Sequence, residues 1–253
     1  MEFLQSIFLG SLQGFTEFLP ISSSGHLYVA ETFLGLKPDL NFEILLHAAS
    51  LLAVAVFFWR DIGNILRDVF LGGEGRALGW KIIVATLFTV PVALLLQSRF
   101  ELLITFRRVG IALIATGILV FLAEKLRPQQ NRNFDWKFVG LLGVVQGLAV
   151  LPGLSRSGLT IALLILLGIE RRKALEISFL LAIPTILGAF VFSLRDTRGI
   201  SFGVQEGIAF IVSFLVALAA IRWMMKLIQK NWIWFAPYCI GAGVFVLFFS
   251  LGK

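Results

Sequence analysis

An all-α, polytopic membrane fold is what this sequence predicts, with about six membrane-crossing helices plus two re-entrant helix-loop-helix hairpins and an inverted internal repeat. Three observations carry the prediction. Of 253 residues, 58% are hydrophobic and 15% charged, with a mean hydropathy of +0.92. A soluble globular chain averages about 25% charged residues, and this composition leaves too little polar surface to cover a body of this size in water. The apolar residues fall into runs of near-membrane length separated by short polar stretches, and two further runs are broken in the middle by turns rich in Pro, Gly and Ser.

In chain order, residues 3–19 and 26–36, with PISSSG between them, form the first broken pair. An arm of 11 residues reaches only about 16 Å, roughly half of the hydrocarbon, so the pair reads as a re-entrant hairpin. Polar backbone at that depth has to be buried in protein or line a wet cavity. Candidate spans follow at 42–59, 82–97 and 109–123. A second broken pair, 138–151 and 159–169 around PGLSRSG, precedes spans at 177–194, 207–221 and 232–251. The runs of about 15 residues must recruit flanking residues to cross.

The broken regions resemble each other. Leu9, Gly10, Gln13 and Gly14 of LGSLQG recur at an offset of 133 as Leu142, Gly143, Gln146 and Gly147 of LGVVQG. LPISSSG is answered, after one gap, by LPGLSRSG, and Glu43 falls on Glu176 at the same offset of 133. The expectation is one integral membrane domain over 1–253, made of a first repeat at about 1–123 and a second at about 134–253, linked by a cytoplasmic loop at 124–137. Three crossings after the first hairpin make the second copy enter from the opposite face, an inverted repeat.

The net charge of +7 comes from 22 Lys and Arg scattered through short loops, which excludes the concentrated basic face of a nucleic-acid binder. With both hairpins re-entrant, the loops at 60–81, 124–137, 170–176 and 222–230 share one face and carry 14 basic residues. The other face carries 7: Lys37, Arg99, Arg107, Arg108, Arg195, Arg198 and Lys253. The richer face reads as cytoplasmic, with both termini and the first hairpin's mouth outside. The N-terminal MEFLQSIFLG carries Glu2 where a signal peptide has a basic region, so it is kept in the mature fold. One cysteine, Cys239, excludes an intrachain disulfide framework and a cysteine-based zinc site, and reads as a small core residue.

Ionisable groups inside a membrane are costly and usually functional, which selects Glu17, His26, Glu43, His47, Arg156 and Glu176. Glu17 lies one turn after Gln13 and just before Ser22, Ser23, Ser24, Gly25 and His26. Pro20 should stop the first arm, Gly25 should permit a tight turn, and an arm starting near Ser23 or Ser24 would offer free N–H groups to an anion. In the second turn Pro152 and Gly153 break the helix, and Ser155, Arg156, Ser157 and Thr160 open the next arm as a phosphate cradle with a bidentate guanidinium. Hairpins entering from opposite faces should meet at their tips and gather these groups into one site. Plainer roles stand beside these: Ser22, Ser24, Ser157 and Thr160 as helix caps, Arg156 as a counter-charge to Glu17, Glu43 and His47 as a mutual pair, Gln13 and Gln146 as backbone bridges. No Walker loop, dinucleotide fingerprint or dedicated metal cluster is present in the sequence.

QGFTEF running into LPISSSGH, together with LPGLSRSGLT, resembles the two signatures of the bacterial undecaprenyl pyrophosphate phosphatase family, the bacitracin-resistance type of membrane phosphatase. The resemblance extends through FEILLHAASLLAVAVFFWRD and covers nearly the whole chain. The family's first motif has Glu or Gln, three residues, then Glu; here Gln13 and Glu17 take those places, so a single acid stands where some members have two. The resemblance implies hydrolysis of undecaprenyl pyrophosphate to the monophosphate on the outer side of the bacterial inner membrane, recycling the lipid carrier for cell-wall synthesis and conferring bacitracin resistance. Glu17, Ser23, His26 and Arg156 are the expected catalytic residues. Ser23 is the candidate nucleophile, with direct attack by water as the alternative. Gln13, Ser22, Ser24, Gly25, Gly153, Ser155, Ser157 and Thr160 are expected to bind substrate. Magnesium or calcium would arrive with the pyrophosphate and touch Glu17, with no organic cofactor and no nucleic acid. A transporter or flippase of a lipid-linked phosphate is the competing expectation, since broken helices in inverted repeats also build transporters.

Overall fold

Apolar runs that lack an interior turn become single helices, and the two runs interrupted by PISSSG and PGLSRSG become helix pairs. The computed structural model describes residues 2–37, 40–97, 104–128, 132–193, 203–230 and 232–250. Arg99, Arg195, Arg198 and Lys253 of the charge comparison lie outside these residues. The first helices are α1 (Phe3–Thr16), α2 (Ser23–Phe33), α3 (Leu40–Phe57), α4 (Trp59–Leu71), α5 (Arg76–Gln97) and α6 (Phe106–Leu126). They are followed by α7 (Val139–Leu148), α8 (Arg156–Leu166), α9 (Arg171–Ser193), α10 (Val204–Leu227) and α11 (Phe235–Ser250). No strand occurs among the described residues.

Among the described residues, five helical segments are long and apolar enough to cross a membrane, and six if the bent pair α3–α4 counts as one span. The short runs did draw in their flanks: α6 has 21 residues and α10 has 24. These helices are apolar on their outer faces as well, where Leu87, Leu95, Ile211, Phe245 and Phe248 are exposed, the pattern of a membrane-embedded bundle. The fold is therefore all-α and polytopic.

Three loops of the sequence reading are largely helical instead, and in the loop expected at 222–230 residues 222–227 are the end of α10. Residues 60–81 are not a loop, because α4 occupies Trp59–Leu71 after a 77° bend, and α5 already begins at Arg76. Arg60, Asp61, Arg67 and Asp68 end the apolar run, yet Ile62 and Ile65 still pack on the core while Trp59, Leu66 and Phe70 stay exposed, so the segment is an amphipathic helix. Residues 171–176 likewise form the start of α9. Glu176 there faces outward and accepts from Arg172 at 3.1 Å, so it belongs to a surface ion pair and not to a membrane-buried site.

The repeated LGxxQG glycines explain how the two halves interlock. A Cβ on Gly10 would lie 2.5 Å from the Ala209 carbonyl oxygen, and one on Gly14 2.3 Å from that of Ser213, so α1 presses against α10 of the other half. Their counterparts do the same: a Cβ on Gly143 would lie 2.1 Å from the Ala85 carbonyl oxygen and one on Gly147 2.6 Å from Val92, seating α7 on α5. Each hairpin's entering arm thus packs on a span of the opposite repeat. α6 and α11 close the arrangement through Gly110, Gly117 and Gly243, whose missing side chains let the two backbones touch.

Candidate active site

The tips of the two hairpins meet. Each returning arm opens with a serine cap: the Ser22 hydroxyl oxygen accepts from the Gly25 N–H at 3.3 Å, and that of Ser155 from the Gly158 N–H at 3.0 Å. The hydroxyl of Ser157 donates to the Leu19 carbonyl at 2.8 Å, tying one tip to the other. Gly25 adopts ordinary helical backbone, and the left-handed residue is Ser22, at φ 69°. Gly25 is needed for space instead, because a Cβ there would stand 3.1 Å from Gly153 Cα across the contact. Gly153 itself turns the second tip at φ 94°.

Glu17 is the hub. Its carboxylate is 7% exposed and both oxygens are engaged. Oε1 accepts from Arg156 Nη2 at 2.8 Å; Oε2 accepts from the Ser23 hydroxyl at 2.6 Å and from Gln13 Nε2 at 3.0 Å. A buried carboxylate needs such a set of donors to remain charged. His47 completes it, with Nε2 3.5 Å from Glu17 Oε2 and Nδ1 2.7 Å from the Glu43 backbone carbonyl. His47 therefore pairs with Glu17, and not with the Glu43 side chain as the spacing alone suggested. Arg156 also donates from Nη1 to the Ser178 carbonyl at 3.3 Å, which aims the guanidinium at Glu17.

Several expected residues stand around this hub without touching it. Ser155 and Ser157 hold each other at 3.2 Å, and the Thr160 hydroxyl donates to the Arg156 carbonyl at 2.8 Å and meets Ser178 Oγ at 2.7 Å, so Thr160 supports Arg156 from behind. Ser24 Oγ lies 3.5 Å from Ser22 Oγ. His26 bonds the Ser22 carbonyl through Nδ1 at 2.7 Å and the Tyr238 hydroxyl through Nε2 at 2.8 Å. Gln146, the repeat partner of Gln13, bonds Thr89 and Thr185 hydroxyls and lies in the packing of α7 against α5 and α9. The Cys239 thiol is buried and donates to the Pro20 carbonyl at 3.3 Å.

Among the described residues, no group of three or more His, Cys, Asp and Glu is placed to hold a metal ion. One acceptor stands open beside Glu17: Gln13 Oε1 is buried with no hydrogen-bond partner among the described residues. An amide oxygen and a carboxylate suit a hard cation whose remaining ligands come from a phosphate group. Gln13 and Glu17 thus fit a divalent ion carried in by its substrate, and do not amount to a protein cage.

Residues 6–245 match the family described as Bacitracin resistance protein BacA. The chain belongs to that family. A protein named undecaprenyl-diphosphatase from Methanobrevibacter smithii is 37% identical over 275 aligned positions, covering 99% of each chain. Proteins of the same name from Methanosphaera stadtmanae and Christiangramia forsetii are each 35% identical, covering 99% and 100% of both chains. The family relationship therefore spans both hairpins and every helix between them.

Two members of the site lay outside the expected set. His47 was visible as a membrane-embedded ionisable residue one turn from Glu43, but its contact with Glu17 crosses from α3 to the first tip. Tyr238 gave no local signal, since its partner His26 is 212 residues away.

Proposed function

We propose that this chain is a membrane phosphatase that hydrolyses undecaprenyl pyrophosphate to undecaprenyl phosphate and inorganic phosphate, the reaction that returns the lipid carrier to cell-wall synthesis and underlies resistance to bacitracin. The family and the full-length relatives support the activity. The observation that carries the chemistry is Glu17 bridging Ser23 of one tip and Arg156 of the other.

In this mechanism Arg156 exchanges part of its hold on Glu17 for the phosphate oxygens, and charge stabilisation there lowers the barrier. Ser23 Oγ attacks the terminal phosphorus as Glu17 takes its proton. The bridging P–O bond breaks, and undecaprenyl phosphate leaves with the electron pair and takes the proton from Glu17. Water, deprotonated by the restored Glu17 carboxylate, then attacks the phosphoserine, and the Oγ–P bond breaks as Ser23 Oγ takes that proton back and phosphate is released. The 2.6 Å hydrogen bond from Ser23 to Glu17 supports this order over direct attack by water. Magnesium or calcium bound with the pyrophosphate, touching Gln13 and Glu17, would supply further neutralisation of phosphate charge. Chelation with EDTA should then lower turnover, and readdition of either ion should restore it.

The same reading places the site on the outer side of a bacterial inner membrane, with both termini outside. The 14 to 7 distribution of basic residues supports it. The exchanged packing of α1 on α10 and α7 on α5 supports the inverted repeat. Single cysteines placed at Glu74 and Glu2 in a Cys239→Ala background should be labelled by an impermeant maleimide from opposite faces.

The activity is tested by phosphate release from undecaprenyl pyrophosphate in detergent, where no second compartment exists. Wild type should turn over, while folded Glu17→Gln and Arg156→Ala should each lose more than about 10³-fold. Absence of release by folded wild type, with and without divalent ions, would remove the phosphatase assignment. Rapid quench with labelled substrate decides the nucleophile: acid-stable label on Ser23 is expected, and its absence during turnover would favour direct attack by water.

A further inference from the structure

His26 has both ring nitrogens in hydrogen bonds. Nδ1 lies 2.7 Å from the Ser22 carbonyl oxygen, and since a carbonyl only accepts, Nδ1 carries the proton. In the neutral ring Nε2 is then the acceptor, and it lies 2.8 Å from the Tyr238 hydroxyl. The two rings are within 8° of parallel, with centroids 5.8 Å apart. Tyr238 is 48% exposed on α11, so its hydroxyl is not directed inward merely to satisfy a buried polar group. The adjacent Cys239 thiol donates to the Pro20 carbonyl. α11 is thus fastened to the first tip at two consecutive residues, on either side of the left-handed Ser22 that leads into Ser23.

We propose that Tyr238 is a positioning residue for the hydrolysis: its hydroxyl holds His26 neutral, as the Nδ1–H tautomer with a fixed ring orientation, at the tip that presents Ser23. This inference rests on the phosphatase reading. The titratable and charged groups around the tip are Tyr238 and Cys239 on the α11 side, and Glu17 with Arg156 and His47 bonded to it on the other. Among the described residues only Tyr238 reaches Nε2, so removing its hydroxyl leaves that nitrogen without this donor and open to a proton.

Tyr238→Phe keeps the ring and deletes the donor. Its kcat for phosphate release in detergent should fall about tenfold, the scale of an outer partner that orients a functional histidine, with KM within about twofold of wild type. The acid limb of its kcat profile should move to higher pH. In a His26→Gln background the same substitution should add no further loss. A second readout does not need activity: the chain has 2 histidines, so ¹⁵N-histidine NMR in a His47→Gln background reports His26 alone. The neutral Nδ1–H tautomer is expected with Tyr238 present, and protonation at higher pH with Phe. An unchanged kcat and pH profile in folded Tyr238→Phe, a fully additive loss with His26→Gln, or an unchanged His26 spectrum would each overturn the proposal. A wild-type enzyme that releases no phosphate would instead sink the functional reading beneath it.

Discussion

In the first hairpin the returning arm begins with Ser23; in the second, at the offset of 133, it begins with Arg156. Both residues follow a capping serine, and both reach the same carboxylate, Ser23 at Oε2 and Arg156 at Oε1 of Glu17. The carboxylate itself has no double, because the residues opposite it in the second copy are Ala149 and Val150. The two matching breaks in the sequence aim two helix starts at one point, one bearing a hydroxyl and the other a cation. A phosphoryl-transfer site needs an attacking oxygen, a base and a positive charge around one phosphorus. Neither tip holds all three, so the site exists only where the tips touch.

The comparison breaks most sharply at two serines of the opposing tips. Ser23 faces Glu17, whereas Ser157 donates to the Leu19 carbonyl and holds the tips together. Ser23→Ala should lower turnover by more than about 10³-fold with little change in thermal midpoint. Ser157→Ala should cost about 1 kcal/mol of stability and less than about tenfold in kcat. Equal activity losses in the two variants, measured on folded protein by phosphate release and thermal unfolding, would dissolve the proposed division of labour.

The paired glutamines sharpen it at intermediate scale. Each has a buried side-chain oxygen with no hydrogen-bond partner among the described residues, but Gln13 donates to Glu17 while Gln146 donates to two threonine hydroxyls between helices. Gln13→Leu should reduce kcat/KM by about tenfold, the loss of one donor to a working carboxylate. Gln146→Leu should leave turnover within about twofold and lower stability by about 1–2 kcal/mol through the loss of its two hydrogen bonds to the threonine hydroxyls. Substrate titration and urea or thermal unfolding in detergent separate the two outcomes.

What could be read without coordinates follows the same division between local and distant. The Ser22 cap and the hairpin breaks are local, fixed by spacing within a turn or two, and Ser23 and Arg156 open their arms where the sequence put them, although the cap of the second arm is Ser155 and not Ser157 or Thr160. The role of Gly25 was misread, because its missing side chain serves the neighbouring tip and not its own turn. The helix α4 was hidden by its charges, which end an apolar run without ending a helical period. Tyr238, and the partner that His47 finds in Glu17, were beyond reach for a different reason: each contact is made by packing between separate helices, and nothing near Tyr238 in sequence distinguishes it from a lipid-facing aromatic.

The smallest expected effect tests the backbone difference between the tips. In the second hairpin a glycine, Gly153, takes the left-handed conformation; in the first a serine does, at φ 69° and ψ 95°. A side chain there costs about 1 kcal/mol or more relative to glycine, while replacing a capping serine by glycine loses only a few tenths. The Ser22 carbonyl would still accept from His26 in the variant, since that bond belongs to the backbone. Ser22→Gly should therefore leave the enzyme equally stable or more stable by about 0.5 kcal/mol. Turnover should fall a few-fold, because the residue before Ser23 gains freedom in the very bond that aims the hydroxyl at Glu17. A variant both less stable and equally active would mean that the left-handed serine is supported for folding alone, and that the first tip carries no strain on behalf of its chemistry.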